Sequence, residues 1–296
     1  MRDFVGCLAN QAAMVAEATC SVNTSASAMA EPTVQDAITC FYRTVLSSGK
    51  ELFTQVVWSA NQVGGAFLSI TVQYGISPSK PHAYLVRKKK GRRSFAAGDT
   101  AISLHWDTSA AAYESGPEPS KAFYLAIVAD SEFALLLGDM CGRFIEHFGA
   151  THPIAAFSMV SRREQVSPRE QVPGETLYST KAALVDGGKE HEIMIRCKGD
   201  ELNAKESELY VEVDKKEVVS VRRLRWNFRG NQAIFVDGST VDVMWDVHGW
   251  WFCESSRCAM FTFRRRSAME SRLWLDGDLE QGFSAFSLLI HVFKNQ

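Results

Sequence analysis

Apolar and polar residues alternate along much of this chain with a period of two. Leu209, Val211 and Val213 fall on one side of such a run, and Tyr210, Glu212 and Asp214 on the other. Leu224, Trp226 and Phe228 oppose Arg223, Arg225 and Asn227 in the next. One apolar face with this period predicts half-buried antiparallel strands, here with both apolar faces turned to the same core. Earlier runs around Phe53, Val56 and Trp58, and around Phe67, Ser69 and Thr71, are short and rich in aromatic and β-branched residues, with Gly64-Gly65 between them. Asp186-Gly187-Gly188, Asp237-Gly238 and Asp276-Gly277 separate strand-like runs, and Asp-Gly readily adopts the positive φ angles of a type I′ hairpin turn. Asp130-Ser131 and Lys215-Lys216 occupy hairpin positions with poorer turn chemistry. One helix is predicted, capped by Asp139, carrying Phe144, Ile145 and Phe148 on one face and stopped by Gly149.

The strand pattern is duplicated. Gly91 stands fifteen positions before Trp106, and Gly230 fifteen before Trp245. Between them Phe95 matches Ile234, Ile102 matches Val241, Leu104 matches Val243, and Asp107 matches Asp246 without a gap. This spacing predicts an all-β protein of two related antiparallel β-sandwich-like halves joined through a short α-helix. The expected division is a mostly disordered segment over 1–35, a first half over 36–150, a linker over 151–174 and a second half over 175–296. The linker assignment rests on Arg163-Glu164-Gln165-Val166, repeated as Arg169-Glu170-Gln171-Val172 around Ser167-Pro168. It reads as an exposed loop.

Composition narrows the function classes. The chain has 296 residues, 46% hydrophobic and 22% charged, with a net charge of −2, so bulk attraction to nucleic acid is not expected. Seven scattered cysteines imply no disulfide framework. The N-terminus lacks a secretory pattern and no apolar run reaches spanning length, which predicts a cytoplasmic or nuclear location.

Charge is concentrated locally. Arg87, Lys88, Lys89, Lys90, Arg92 and Arg93 flank Gly91; Arg222, Arg223, Arg225 and Arg229 precede Gly230. The first cluster, with no evident acidic neighbour strand, is a candidate grip for an anionic partner, placed at a hairpin tip turned by Gly91. The second is expected to pair across a hairpin with Glu212 and Asp214. In Trp245-Asp246-Val247-His248-Gly249-Trp250-Trp251-Phe252, Trp250 or Trp251 is a candidate sugar-stacking ring. His248, Cys253 and Cys258 lack the paired knuckles of a zinc site, so no metal is expected. Asp107, Glu118, Asp246 and Glu254 offer carboxylates, but no nucleophile elbow, P-loop or dinucleotide fingerprint is present, and neither an enzyme nor a cofactor is expected.

The phrases Met1-Arg2-Asp3-Phe4, Ser115-Gly116-Pro117-Glu118-Pro119, Leu135-Leu136-Leu137-Gly138-Asp139, Arg222-Arg223-Leu224-Arg225-Trp226-Asn227-Phe228-Arg229-Gly230-Asn231 and Trp245-Asp246-Val247-His248 resemble the plant family of domain of unknown function 868. The resemblance runs from Met1 to Phe293. It implies a plant intracellular protein without an established activity and carries no catalytic residues to this chain. Asp214-Lys215-Lys216 departs from the family's tendency to Asp-Gly-Lys, which predicts a looser hairpin. Together these readings lead to a non-enzymatic interaction module for a protein partner. Anionic-membrane binding through Lys88, Lys89, Lys90, Arg92 and Arg93 is one alternative, and carbohydrate binding through Trp250 or Trp251 another.

Overall fold

The computed structural model describes residues 37–60, 66–75, 81–114, 116–148, 152–172, 174–199, 207–252, 258–266 and 286–293. The 1–35 segment, Gly64-Gly65, Cys253 and Asp276-Gly277 lie outside the described residues.

The chain is all-β. The first half contains β1 (Ala37–Val45), β2 (Glu51–Ala60), β3 (Ala66–Tyr74), β4 (His82–Val86), β5 (Lys90–Ala97), β6 (Thr100–Asp107), the short pair β7 (Ala112–Tyr113) and β8 (Pro119–Lys121), β9 (Tyr124–Ala129) and β10 (Glu132–Leu137). A helix, Cys141–Phe148, leads to β11 (Ala156–Val166) and β12 (Glu170–Val172). The second half follows with β13 (Glu175–Ala183), β14 (Glu190–Lys198), β15 (Glu208–Val213), β16 (Lys216–Arg222), β17 (Arg229–Val236), β18 (Ser239–Asp246), a one-turn helix His248–Phe252, β19 (Cys258–Arg265) and β20 (Ser287–Phe293).

Both halves are built from two meanders. A nine-stranded sheet has the order β17-β18-β19-β20-β11-β1-β2-β3-β4; a four-stranded sheet runs β10-β9-β6-β5, and a five-stranded sheet β12-β13-β14-β15-β16. One unbroken row of paired residues crosses the large sheet: Gly230, Trp245, Phe261, Ile290, Glu164, Ile38, Trp58, Leu68 and Val86. Paired residues share a face, so the cores of both halves project from the same side of this sheet. The four-stranded sheet covers one core and the five-stranded sheet the other.

The segment expected as a linker is instead the central strand of the large sheet. β11 pairs antiparallel with β1 and parallel with β20. Just before it Ile154 bridges Phe133 at the start of β10, and just after it β12 pairs with β13. This segment therefore joins the last strand of each half to its first strand. Its charges, which suggested solvent, are neutralised inside. Arg162 bonds Glu118 and Glu164, both at 2.6 Å, and Glu164 also accepts from the Thr180 hydroxyl. Glu164 is buried. These groups form a polar seam between the two hydrophobic clusters. Burial against this network pushes the Cys40 thiol up to about 12.

Turn chemistry proves more tolerant than expected. Asp214 and Lys215 have φ of 50° and 65°, and Asp130 and Ser131 have 47° and 67°, as in the Asp237-Gly238 turn at 47° and 74°. All three hairpins take positive φ at both central residues, so β15–β16 closes tightly without glycine. The helix carries the predicted Phe144 and Phe148, whose rings pack on His105 and Phe133 over the outer face of the four-stranded sheet. Asp139 accepts the Phe123 amide at 3.2 Å.

The expected core face over 209–228 holds only in part. Leu209, Val211, Val213 and Leu224 are buried, but Trp226 is 76% exposed. β16 stops at Arg222, and a turn follows in which Arg223 takes φ 53° and its carbonyl accepts the amides of Trp226 and Asn227. The Asn227 side chain caps the Arg222 carbonyl at 2.8 Å. Three local hydrogen bonds thus override the alternation and turn Trp226 outward.

Candidate functional site

The residues at the matched positions build the same local device twice. Gly91 lies opposite Trp106 on β5 and β6, and Gly230 opposite Trp245 on β17 and β18. Each indole rests on its glycine: an added Cβ would stand 2.7 Å from Cζ2 of Trp106 at Gly91, and 2.1 Å from Cζ2 of Trp245 at Gly230. The indole N–H then donates to the carbonyl three residues before the glycine, Lys88 at 2.8 Å and Asn227 at 3.1 Å. The following aspartate pairs with the residue just before the glycine, Asp107 with Lys90 at 2.9 Å and Asp246 with Arg229 at 2.8 Å. It also accepts the amide two residues on, from Ser109 at 3.0 Å and from His248 at 2.9 Å. The device pins the backbone of the two connections that enter β5 and β17. Trp106 is buried, and Trp245 is half-buried.

Both pinned connections carry the basic clusters. Arg87, Lys88, Lys89, Lys90, Arg92 and Arg93 are all exposed. The geometry differs from a hairpin tip at Gly91. Gly91 lies inside β5 beneath Trp106, and the cluster spans the crossover from β4 to β5 and the edge strand itself. Lys90 is held by Asp107, whose bond raises the Lys90 pKa. The Arg93 guanidinium lies 5.7 Å from the Tyr84 ring centroid, a cation–π arrangement. Arg92 pairs with His105, which burial, and then this guanidinium, bias toward its neutral form. Arg87, Lys88, Lys89 and Arg92 have no acidic partner within 4.0 Å among the described residues.

The second cluster does not pair as expected. Glu212 bonds Arg196 at 3.2 Å, and Asp214 holds His191 at 2.8 Å. Arg222 stands 3.8 Å from Glu208 with its side chain 84% exposed, and Arg229 is taken by Asp246. Arg223 and Arg225 are exposed beside Trp226. The reading of Trp226 as core missed a signal in the duplication: the same offset that matches Gly91 with Gly230 sets Arg87, Lys88 and Lys89 against Trp226, Asn227 and Phe228. A lysine-rich counterpart marks a surface connection.

Trp250 is buried and stacks on Tyr178, with ring centroids 6.1 Å apart at 20°, so it is core and not an exposed sugar platform. The Trp251 side chain lies outside the described residues. Phe228, His248 and the half-exposed Phe252 form a ring cluster next to the Trp226 turn. No group of three or more His, Cys, Asp or Glu residues that could hold a metal ion occurs among the described residues.

A further polar cluster closes on itself. His191 on β14 lies between the two hairpin turns, with Nδ1 2.8 Å from Asp214 and Nε2 2.9 Å from Asp237. The bond to His191 holds the Asp214 carboxyl below the usual carboxylate range. This clamp lines an open groove of about 490 Å³ between the edges of β16 and β17.

No helix among the described residues is long and apolar enough to cross a membrane. No curated protein and no solved structure matches the chain. A family model described as a plant protein of unknown function matches residues 33–294, which spans both meanders of each half and both Gly–Trp devices. The chain therefore belongs to this plant family, DUF868.

Proposed function

We propose that this protein is a non-enzymatic interaction module that holds an acidic partner protein through the basic edge formed by Arg87, Lys88, Lys89 and Arg92. The observation that carries this reading is the combination of exposure and fixed backbone. These four cations lack acidic partners among the described residues, while the Lys88 carbonyl is tied to a buried indole. Pre-set positions reduce the ordering cost of binding and favour a defined partner over a diffuse ion atmosphere. The buried ion network supports a structural role, because Arg162 is spent on Glu118 and Glu164.

A protein of net charge −2 and pI near 6.4 has no bulk reason to bind a cation exchanger at pH 7.5. A local cationic edge does. The wild-type protein is expected to be retained on a sulfonate resin at low ionic strength. The Lys88→Glu/Lys89→Glu/Arg92→Glu variant is expected to elute at clearly lower salt with an unchanged circular dichroism spectrum. Wild-type protein passing straight through would remove the reading.

A further inference from the structure

We infer that the turn Arg223–Phe228 is an interfacial anchor, with Trp226 entering the headgroup region of an anionic bilayer while Arg222, Arg223 and Arg225 engage lipid phosphates and carboxylates. This goes beyond the basic edge proposed above, because its primary contact is made by different residues and its partner is different. Trp226 is the most exposed large apolar residue among the described ones, at 76%, and the half-exposed Phe252 packs against Phe228, two residues further along the chain. A large aromatic ring in water is a cost that a folded chain usually avoids. Here the fold fixes it outside: the turn is held by hydrogen bonds from the Trp226 and Asn227 amides to the Arg223 carbonyl and by the Asn227 cap, and its base is held by the Trp245 indole on the Asn227 carbonyl.

The chemistry selects the occupant. Trp with flanking Arg is the pairing that suits a membrane interface, where the indole sits at headgroup depth and the cations meet anionic lipid. With three-quarters of Trp226 exposed, little protein surface is left beside the ring to enclose a base or a peptide side chain. A bilayer supplies that surrounding itself. Topology adds a second basic contact. The row across the large sheet ends at Gly230 on one edge and at Val86 on the other, and β4 runs toward the end from which β17 departs. The Trp226 turn and the Arg87–Lys89 connection therefore leave the sheet at the same topological end. The twist of so wide a sheet swings its edges apart, so the aromatic turn makes the primary contact and the Arg87–Lys89 connection only strengthens it.

Flotation with vesicles of phosphatidylcholine alone, and with part of it replaced by phosphatidylserine, tests this at low and high salt. Wild-type protein is expected to float with the serine-containing vesicles at low salt only. Each cation near an anionic surface contributes about 1 kcal/mol, so Arg223→Ala/Arg225→Ala should lower partitioning about thirty-fold. Trp226→Ala should also release the protein while leaving its melting temperature nearly unchanged, since the ring touches no core. The Lys88→Glu/Lys89→Glu/Arg92→Glu variant should lose less than either. The inference is overturned if wild-type protein does not float with anionic vesicles, if it floats equally with phosphatidylcholine alone, or if the Trp226 and Arg223/Arg225 variants float as wild type. Tighter binding to single-stranded oligonucleotide than to vesicles, lost in the same variants, would reassign the turn to nucleic acid. Retention of wild-type protein on the sulfonate resin alongside a failure to float would leave the basic-edge reading standing and remove only this one.

Discussion

At Gly91 and Gly230 a missing methyl group seats an indole, and the two seats are not equivalent. Trp106 is enclosed and cannot retreat, whereas half-buried Trp245 can tilt toward solvent. Gly91→Ala is therefore expected to destabilise by about 1–3 kcal/mol, the usual cost of overpacking, and Gly230→Ala by less, although its Cβ would start closer to the ring. Urea denaturation ranks the two; the reverse order would mean that the initial distance outweighs freedom to move. His291 gives a pH dependence. Burial, and then the nearby Arg163, hold its pKa down at about 4, below the ordinary value near 6.5. Between these values the unfolded chain takes up a proton that the folded chain refuses. Stability therefore falls as pH drops from about 6.5 toward 4, by at most about 3 kcal/mol. The urea midpoint should drop between pH 7 and pH 5 in wild type and drop less in His291→Phe. Equal drops would place the acid sensitivity elsewhere.

At the scale of elements, His191 ties the β15–β16 turn to the β17–β18 turn, and these turns belong to opposite sheets of the second half. His191→Ala should speed amide exchange at Asp214–Lys216 and Asp237–Gly238 while leaving the β1–β2 hairpin unchanged. Uniform protection at all three would show that packing alone holds the turns. The strands themselves were largely legible from alternation and from Asp-Gly turns, because both signals are local. The exceptions have local causes of a different kind. Trp226 followed the apolar pattern, yet a carbonyl accepting two amides and an Asn cap ended the strand before it. Arg162, Arg163 and Glu164 looked like solvent residues, and no local pattern could show that Glu118, distant in sequence, would meet Arg162.

For the whole molecule, β11 belongs to both halves, and the seam on its inner face is ionic. Removing one member strands its partners. Arg162→Leu should cost about 3–5 kcal/mol, because Glu118 and Glu164 lose their counter-ion next to a low-dielectric core. One shared sheet also predicts one transition: tryptophan fluorescence and far-ultraviolet circular dichroism should report coincident urea unfolding. Separate transitions would show that the halves unfold independently across the β11–β20 parallel pair. By itself the sequence determined the all-β class, most hairpins, the helix and the twofold recurrence of the Gly–Trp–Asp ladder, since each depends on residues within about twenty positions of one another. Only the tertiary structure decided that the presumed linker is the central strand, that Trp250 is core while Trp226 is surface, and which cations remain unpaired. Those outcomes depend on which distant strand supplies the neighbour: pairing energy is set by the residue across the ladder or across the seam, and the chain order does not name it.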